Sequence, residues 1–205
     1  VAGVTKSVSG SRFPGAVEDC YAGLKWLFAH THELGIDAAR IGLTGDSAGG
    51  GLAAALALLV RDRGEMRLAF QHLIYPMLDD RTCTTKDPNE YAGEFVWTRT
   101  NNAYGWRSLL GVEPGSLGVS PYAAAARAED VSNLPPTFIS TAALDLFVDE
   151  NLEYARRLMR AGVPVELHVY PGAYHGFDAF TQAPVAAEAR RVSIAALGRA
   201  LHPAG

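Results

Sequence analysis

The segment that decides the fold is Gly45-Asp46-Ser47-Ala48-Gly49-Gly50. It follows the β-branched and leucine-containing run Arg40–Thr44, which predicts a strand, and it precedes the apolar run Ala48–Arg61, which predicts a buried helix. The pattern G-x-S-x-G between a strand and a helix predicts a sharp turn, and this turn lifts the serine hydroxyl to the carboxyl end of the strand. Glycines at positions 45 and 49 keep strand and helix from colliding. We therefore predict that Ser47 is a nucleophile, against the alternative of a glycine-rich turn before a packed helix.

The same turn supplies a hydrogen-bond donor. Ala48 begins the predicted helix, and the first N–H groups of a helix lack partners within it. Such a group lies at the positive end of the helix dipole and can stabilise a developing oxyanion. We predict that the Ala48 N–H contributes to an oxyanion hole.

Strands and helices alternate along the chain on either side of this turn. The predicted helices are Pro14–Leu34, Ala48–Arg61, Glu94–Leu110, Asp149–Ala161 and Pro184–Leu201. The predicted strands are Arg40–Thr44, Phe70–Tyr75, Thr137–Thr141 and Val165–Tyr170. This alternation predicts an α/β fold, with a parallel sheet covered by helices on both faces. We expect residues 1–205 to form one domain.

The composition excludes several classes of protein. Of the 205 residues, 48% are apolar and 20% are charged, as in ordinary globular domains. No apolar run reaches the roughly 18 residues of a membrane helix, so we expect no stable membrane insertion. The net charge is −4 and the 18 Lys and Arg residues are scattered, which argues against a nucleic-acid partner.

The two cysteines, Cys20 and Cys83, are too few for a disulfide scaffold and too far apart for a zinc motif. We expect both to be reduced thiols, which suits a reducing compartment and predicts a cytoplasmic location.

A serine nucleophile needs a general base, and there are six histidines to choose from. Five have an ordinary interpretation: surface positions on a helix, positions within a strand, or the tail. They are His30, His32, His72, His168 and His202. His175 instead follows the last predicted strand, where a loop can aim an imidazole over the sheet edge. We predict that His175 is the base.

The base in turn needs an orienting carboxylate. Asp79 and Asp80 follow one predicted strand, and Asp145 follows the next. Asp149 and Glu150 suit the first turn of a helix, where acidic side chains complement the dipole. Asp145 has no such capping task, and it gives the chain order Ser, Asp, His. We favour Asp145 over Asp79 or Asp80.

Several motifs together resemble those of the bacterial hormone-sensitive-lipase-like esterases, which have the α/β-hydrolase fold. The resemblance runs from about Phe13 to near the end of the chain. Its motifs are Gly45-Asp46-Ser47-Ala48-Gly49-Gly50, Asp145-x-x-x-Asp149-Glu150, His175-Gly176-Phe177, Tyr75-Pro76-Met77-Leu78-Asp79 and Leu134-Pro135-Pro136.

The resemblance implies a serine carboxylesterase that hydrolyses short-chain acyl esters. Carried over, Ser47 is the nucleophile, Asp145 the acid and His175 the base. The implied partner is a small-molecule ester, and neither a metal nor a cofactor is required.

One departure from the family is large. Its HGGG loop, which lies upstream of the nucleophile and completes the oxyanion hole, has no counterpart because no His-Gly-Gly stretch occurs here. We therefore expect the chain to correspond to the C-terminal two-thirds of such an esterase, without its first strands and cap. Two alternatives stay open: a catalytically crippled hydrolase relic or acyl-binding module, and a serine peptidase.

Two further expectations concern the surroundings of the site. Aromatic residues of the segment Glu94–Leu110 offer an acyl pocket or, equally, core packing; they are Phe95, Trp97, Tyr104 and Trp106. The Arg40–Thr44 strand lacks its usual neighbour, so we expect marginal folding or a homo-oligomer formed through this exposed sheet edge. Residues 1–9 folding back over the edge are the alternative.

Overall fold

Four parallel strands form a sheet whose spatial order follows the sequence, β1-β2-β3-β4. The strands are β1 Leu43–Asp46, β2 Gln71–Ile74, β3 Thr137–Ala142 and β4 Val165–Tyr170. A computed structural model provides this description for residues 12–202. The segment 1–9, considered above as a cover for the sheet edge, lies outside the described residues.

Helices cover both faces of the sheet, which confirms the predicted α/β fold. They are α1 Gly15–Ala29, α2 Thr31–Leu34, α3 Ala48–Arg63, α4 Arg99–Leu110, α5 Val148–Arg160 and α6 Pro184–Leu201. On one face, Leu73 and Ile139 join the main apolar core with residues of α1, α3 and α5. On the other face, Ala142 and Tyr170 pack against Ala186 and Ala189 of α6. Alternation of side chains along each strand separates these two sets.

His72 shows how α6 is fixed to the sheet. Its two ring nitrogens each lie 3.0 Å from a hydroxyl oxygen, that of Thr44 on β1 and that of Ser193 on α6. The ring stacks on Phe138, with centroids 4.6 Å apart. Burial lowers the pKa of His72 to about 4, so the imidazole is neutral at pH 7. The structure thus supports the packing interpretation of this histidine.

The first predicted helix, Pro14–Leu34, is in fact two helices. The chain leaves the helical path at His30, whose φ and ψ are −109° and 15°. There the imidazole Nδ1 lies 2.8 Å from the Trp26 carbonyl oxygen, and the Thr31 hydroxyl donates to the Phe28 carbonyl. These side chains compete with the helical ladder for the same carbonyl groups, so the helix ends at Ala29 and restarts.

Two other predicted boundaries are wrong by several residues. The strand expected from Arg40 begins at Leu43, because the Asp37 carboxylate accepts a hydrogen bond from the Ala39 N–H and holds Ala38–Arg40 in a 3-10 turn. The helix expected from Glu94 begins at Arg99, where the Thr98 hydroxyl caps it. In both places a hydrogen bond from a backbone N–H to a side chain makes the element begin later in the chain than predicted.

β1 lies at one edge of the sheet, and within residues 12–202 it pairs with β2 alone. Its residues Thr44 and Asp46 are exposed. No helix of the described part of the chain is both long and apolar enough to cross a membrane. The cytoplasmic location rests on the cysteine content and stays a prediction.

Candidate active site

Ser47 occupies a turn of one residue between β1, which ends at Asp46, and α3, which begins at Ala48. Its φ of 54° and ψ of −123° are unusual for a residue with a side chain, and such a backbone costs on the order of 1–3 kcal/mol. Backbone hydrogen bonds hold it there. The Ser47 N–H donates to the Ile74 carbonyl over 2.9 Å, and the Ser47 carbonyl accepts from the Met77 N–H over 3.0 Å.

Glycines beside Ser47 allow the backbone to pack this closely. A Cβ on Gly45 would lie 2.3 Å from the Gly49 carbonyl oxygen, and one on Gly51 would lie 2.0 Å from the Met77 carbonyl oxygen. A Cβ on Gly49 would meet nothing nearer than 4.0 Å. The prediction that the missing side chain prevents a collision is therefore right for Gly45 and wrong for Gly49. Gly51, which was not predicted, makes the close approach to the loop that follows β2.

His175 lies directly against the Ser47 side chain. The distance from Ser47 Oγ to His175 Nε2 is 2.9 Å, and the distance from His175 Nδ1 to Asp145 Oδ2 is 2.8 Å. His175 and Asp145 are both buried, while Ser47 is half-buried. The structure thus brings the three predicted residues into one hydrogen-bonded chain.

Asp145 is held by the turn that joins β3 to α5. Its Oδ1 accepts a hydrogen bond from the Phe147 N–H over 3.0 Å, which leaves Oδ2 to the imidazole. Its own N–H donates to the Ala142 carbonyl at the end of β3. Both carboxylate oxygens therefore have partners, and the side chain has one orientation.

The two alternative acids are engaged elsewhere. Arg81 binds both carboxylate oxygens of Asp79, at 2.8 and 2.7 Å. Arg127 binds both carboxylate oxygens of the buried Asp80, each at 2.8 Å, and the Gly115 N–H donates to the same group. Both carboxylates stabilise the loop that follows β2.

Three aromatic rings surround the His175 imidazole. The centroid distances are 4.8 Å to Tyr75, 5.3 Å to Phe147 and 6.1 Å to Trp97. The contacts of Tyr75 and Phe147 with His175 were not predicted from the sequence, because the two residues reach the imidazole from two different loops. Of the predicted pocket residues, only Trp97 is in this group.

The other predicted pocket residues lie elsewhere. Phe95 is 54% exposed, and its ring lies 5.7 Å from that of Tyr174. Trp106 is 1% exposed and belongs to a core cluster, and Tyr104 is 67% exposed. The core-packing alternative is therefore the correct one for Trp106.

Ala48 is the first residue of the 16-residue helix α3 and is exposed beside Ser47. Its N–H belongs to the first turn, whose donors have no carbonyl partner within the helix. The partial positive charge at this helix terminus favours a negatively charged group there.

Glu150 has a role that the sequence did not indicate. Its side chain is buried, and Oε1 accepts hydrogen bonds from the Leu78 and Asp79 N–H groups over 2.6 and 3.1 Å. The Thr82 hydroxyl donates to Oε2. Burial raises the pKa of this carboxyl well above its usual range. Because these partners lie about 70 residues earlier in the chain, no local pattern reveals them.

The close approach at Gly51 gives a testable prediction. Gly51→Ala places a methyl group on the Met77 carbonyl, so we expect a loss of about 2 kcal/mol or more in the free energy of unfolding. The matched control is Gly23→Ala in α1, where a Cβ meets nothing within 4 Å and where alanine favours the helix by about 1 kcal/mol. Urea unfolding of both variants measures the difference, and equal stability of the two would contradict the steric argument.

Comparison with known proteins identifies the family of the fold. Residues 9–179 match the family model described as the alpha/beta hydrolase fold. The chain is similar to the carboxylesterase NlhH of Mycobacterium tuberculosis, with 38% identity over 192 residues, and to an ethyl acetate hydrolase of Pseudomonas putida, with 32% identity over 167 residues. These alignments cover 93% and 81% of this chain, but 60% and 52% of the two relatives.

Among solved structures, the chain is similar to a bacterial heroin esterase, with a TM-score of 0.90 and 44% sequence identity. That alignment covers 95% of this chain and 62% of the esterase. The chain therefore spans between about half and three-fifths of the length of these relatives.

Proposed function

Because the chain belongs to the alpha/beta hydrolase family, we propose that it is a serine carboxylesterase acting on short-chain acyl esters. The observation that carries the proposal is the hydrogen-bonded chain from Ser47 through His175 to Asp145, with distances of 2.9 and 2.8 Å. The names of the similar proteins, which are esterases and ester hydrolases, support the same reaction.

Each residue of the proposed triad has a defined role in the reaction. Ser47 Oγ attacks the ester carbonyl while His175 Nε2 takes its proton. Asp145 accepts a hydrogen bond from Nδ1–H, so it keeps the imidazole in the required tautomer and stabilises the imidazolium. His175 then protonates the leaving alcohol, and an acyl group remains on Ser47. Water attacks this acyl-enzyme by the same route and releases the acid.

The proposed mechanism also needs hydrogen-bond donors that stabilise the oxyanion formed when Ser47 attacks. Within residues 12–202 we identify one donor beside Ser47, the Ala48 N–H, and the sequence contains no His-Gly-Gly stretch. Loss of a single donor costs about 10²–10³ in kcat in a studied protease. We therefore expect slow turnover by these 205 residues. The same observation favours the second candidate, a hydrolase relic that binds acyl groups without hydrolysing them.

The proposed triad predicts the effect of three substitutions on hydrolysis of p-nitrophenyl butyrate. Ser47→Ala and His175→Ala remove the nucleophile and the base, so we expect each to abolish most of the activity. Asp145→Asn leaves the fold intact but orients the imidazole poorly, with a loss of up to about 10⁴-fold. Asp79→Asn is the control and retains most of the activity, since this carboxylate binds Arg81. An Asp79→Asn or Asp80→Asn variant far more damaged than Asp145→Asn would show that the acid is wrongly assigned.

The proposed substrate class predicts how kcat/KM depends on the ester. Trp97, Phe147 and Tyr75 already fill space around the imidazole, so we expect the highest values for acetyl to butyryl esters and a decline towards C12. The matching p-nitroanilides test the serine peptidase alternative. A steady rise out to C12 contradicts the short-chain proposal, and comparable hydrolysis of the anilides contradicts ester specificity.

The open edge of β1 supports a proposal about assembly. Within residues 12–202 the outer backbone groups of β1 face no strand, so they can pair with those of a second copy of this chain and we expect self-association. Thr44→Lys adds a solvated charge at this edge and should give the monomer, whereas Thr44→Val loses the same hydrogen bond to His72 without adding a charge and should behave as the wild type. Size-exclusion chromatography with light scattering measures the mass, and a wild-type monomer at every concentration overturns the proposal.

A further inference from the structure

Tyr75 lies against the imidazole of His175 and is bound to the turn that follows it. The two rings meet edge to face, with centroids 4.8 Å apart and planes at 61°. The Tyr75 hydroxyl donates a 2.6 Å hydrogen bond to Oδ1 of Asp178. Burial, followed by the Asp178 carboxylate, raises the pKa of Tyr75, so the hydroxyl keeps its proton at neutral pH.

The backbone of Tyr75 is fixed at the end of β2. Its N–H donates to the Ser140 carbonyl of β3 over 2.6 Å, and its φ of 34° lies in the left-handed region. Ile74, the residue before it, accepts the hydrogen bond from the Ser47 N–H. Tyr75 is thus joined to the same strand end that holds the Ser47 backbone.

The hydrogen bond between Tyr75 and Asp178 attaches the loop that carries His175 to the end of β2. This loop contains two glycines in the left-handed region, Gly172 with φ 69° and Gly176 with φ 73°. Asp178 belongs to the 3-10 turn Phe177–Ala179, which starts directly after Gly176. Its hydrogen bond therefore connects the far side of this loop to the end of β2, 103 residues earlier in the chain.

We propose that Tyr75 and Asp178 are positioning residues for His175, acting through the hydrogen bond between them. The inference rests on the proposed function, because it assigns the pair to the base of that reaction. The imidazole must accept the Ser47 proton and return it to the leaving alcohol, so its ring has to keep one place through both steps. The Tyr75 ring edge packs against the imidazole, and Asp178 holds that ring and the loop at a fixed separation.

The chain offers a matched control for this interaction. Tyr122 donates a 2.8 Å hydrogen bond to the Asp62 carboxylate, so it forms a second tyrosine–aspartate pair. Asp62 lies near the end of α3, and its hydrogen bond with Tyr122 is exposed, whereas that of Tyr75 is partly buried. Tyr75→Phe and Tyr122→Phe remove the same atom from the same kind of hydrogen bond.

The kinetic test compares these variants on p-nitrophenyl butyrate. We expect Tyr75→Phe to lower kcat by about 10- to 100-fold with an unchanged KM, because misplacement of a reacting group slows the chemical step. Asp178→Leu should do the same, whereas Asp178→Asn keeps an acceptor oxygen and should restore most of kcat. Tyr122→Phe should match the wild type. Thermal unfolding confirms that every variant compared is folded.

A second measurement separates this proposal from the proposed function. The ¹⁵N and ¹H NMR signals of the His175 imidazole, assigned by their loss in His175→Gln, report ring order without any substrate. We expect one sharp set of signals in the wild type and in Tyr122→Phe, and broadened or multiple signals in Tyr75→Phe and Asp178→Leu.

The outcomes are distinct. If the wild type neither hydrolyses the ester nor labels at Ser47 with a fluorophosphonate, the proposed function fails, and the imidazole spectra alone decide the positioning role. If Tyr75→Phe matches Tyr122→Phe in the imidazole spectrum and, where turnover is measurable, in kcat, the positioning proposal is overturned.

Discussion

The backbone of Ser47 is the constraint on which the rest of the site depends. A residue with a side chain is held at a φ of 54° because β1 passes into α3 with a single residue between them. The Ile74 carbonyl and the Met77 N–H stabilise this conformation from the end of β2. Because Gly45 and Gly51 have no side chain, the backbone of β1 can approach that of α3, and the backbone of α3 can approach that of the loop after β2. The resulting turn presents the hydroxyl to an imidazole that arrives from β4.

The sequence predicted the parts of this arrangement that local patterns specify. The alternation of strands and helices gave the parallel sheet, and the β4 and α6 boundaries agree with the structure, at Val165–Tyr170 and Pro184–Leu201. Ser47, Asp145 and His175 could be singled out because each follows a predicted strand, and parallel strands end at one edge of the sheet. The structure brings these three together, and their roles in catalysis stay a prediction.

The residues that the sequence missed depend on contacts between distant segments. Glu150 resembles an ordinary acidic residue in the first turn of a helix, yet its partners are backbone groups 71 and 72 residues away. Tyr75 resembles the last residue of a strand, and its hydroxyl binds Asp178 from the opposite end of the site. The break at His30 and the late start of α4 have a different cause, since single side chains capture backbone groups there.

The distance along the chain between Ser47 and His175 has a consequence for biosynthesis. Ser47 and His175 are 128 residues apart, and their hydrogen bond closes the longest loop in the site. At a synthesis rate of roughly 5–20 residues per second, the imidazole emerges about 6 to 26 s after the hydroxyl. During that interval the Ser47 turn exists without the His175 imidazole, and β1 and β2 lack β4 and, until it has been made, β3. Under the proposed function, labelling of Ser47 in nascent chains therefore begins only after β4 has been made, so it would mark the assembly of the four described strands.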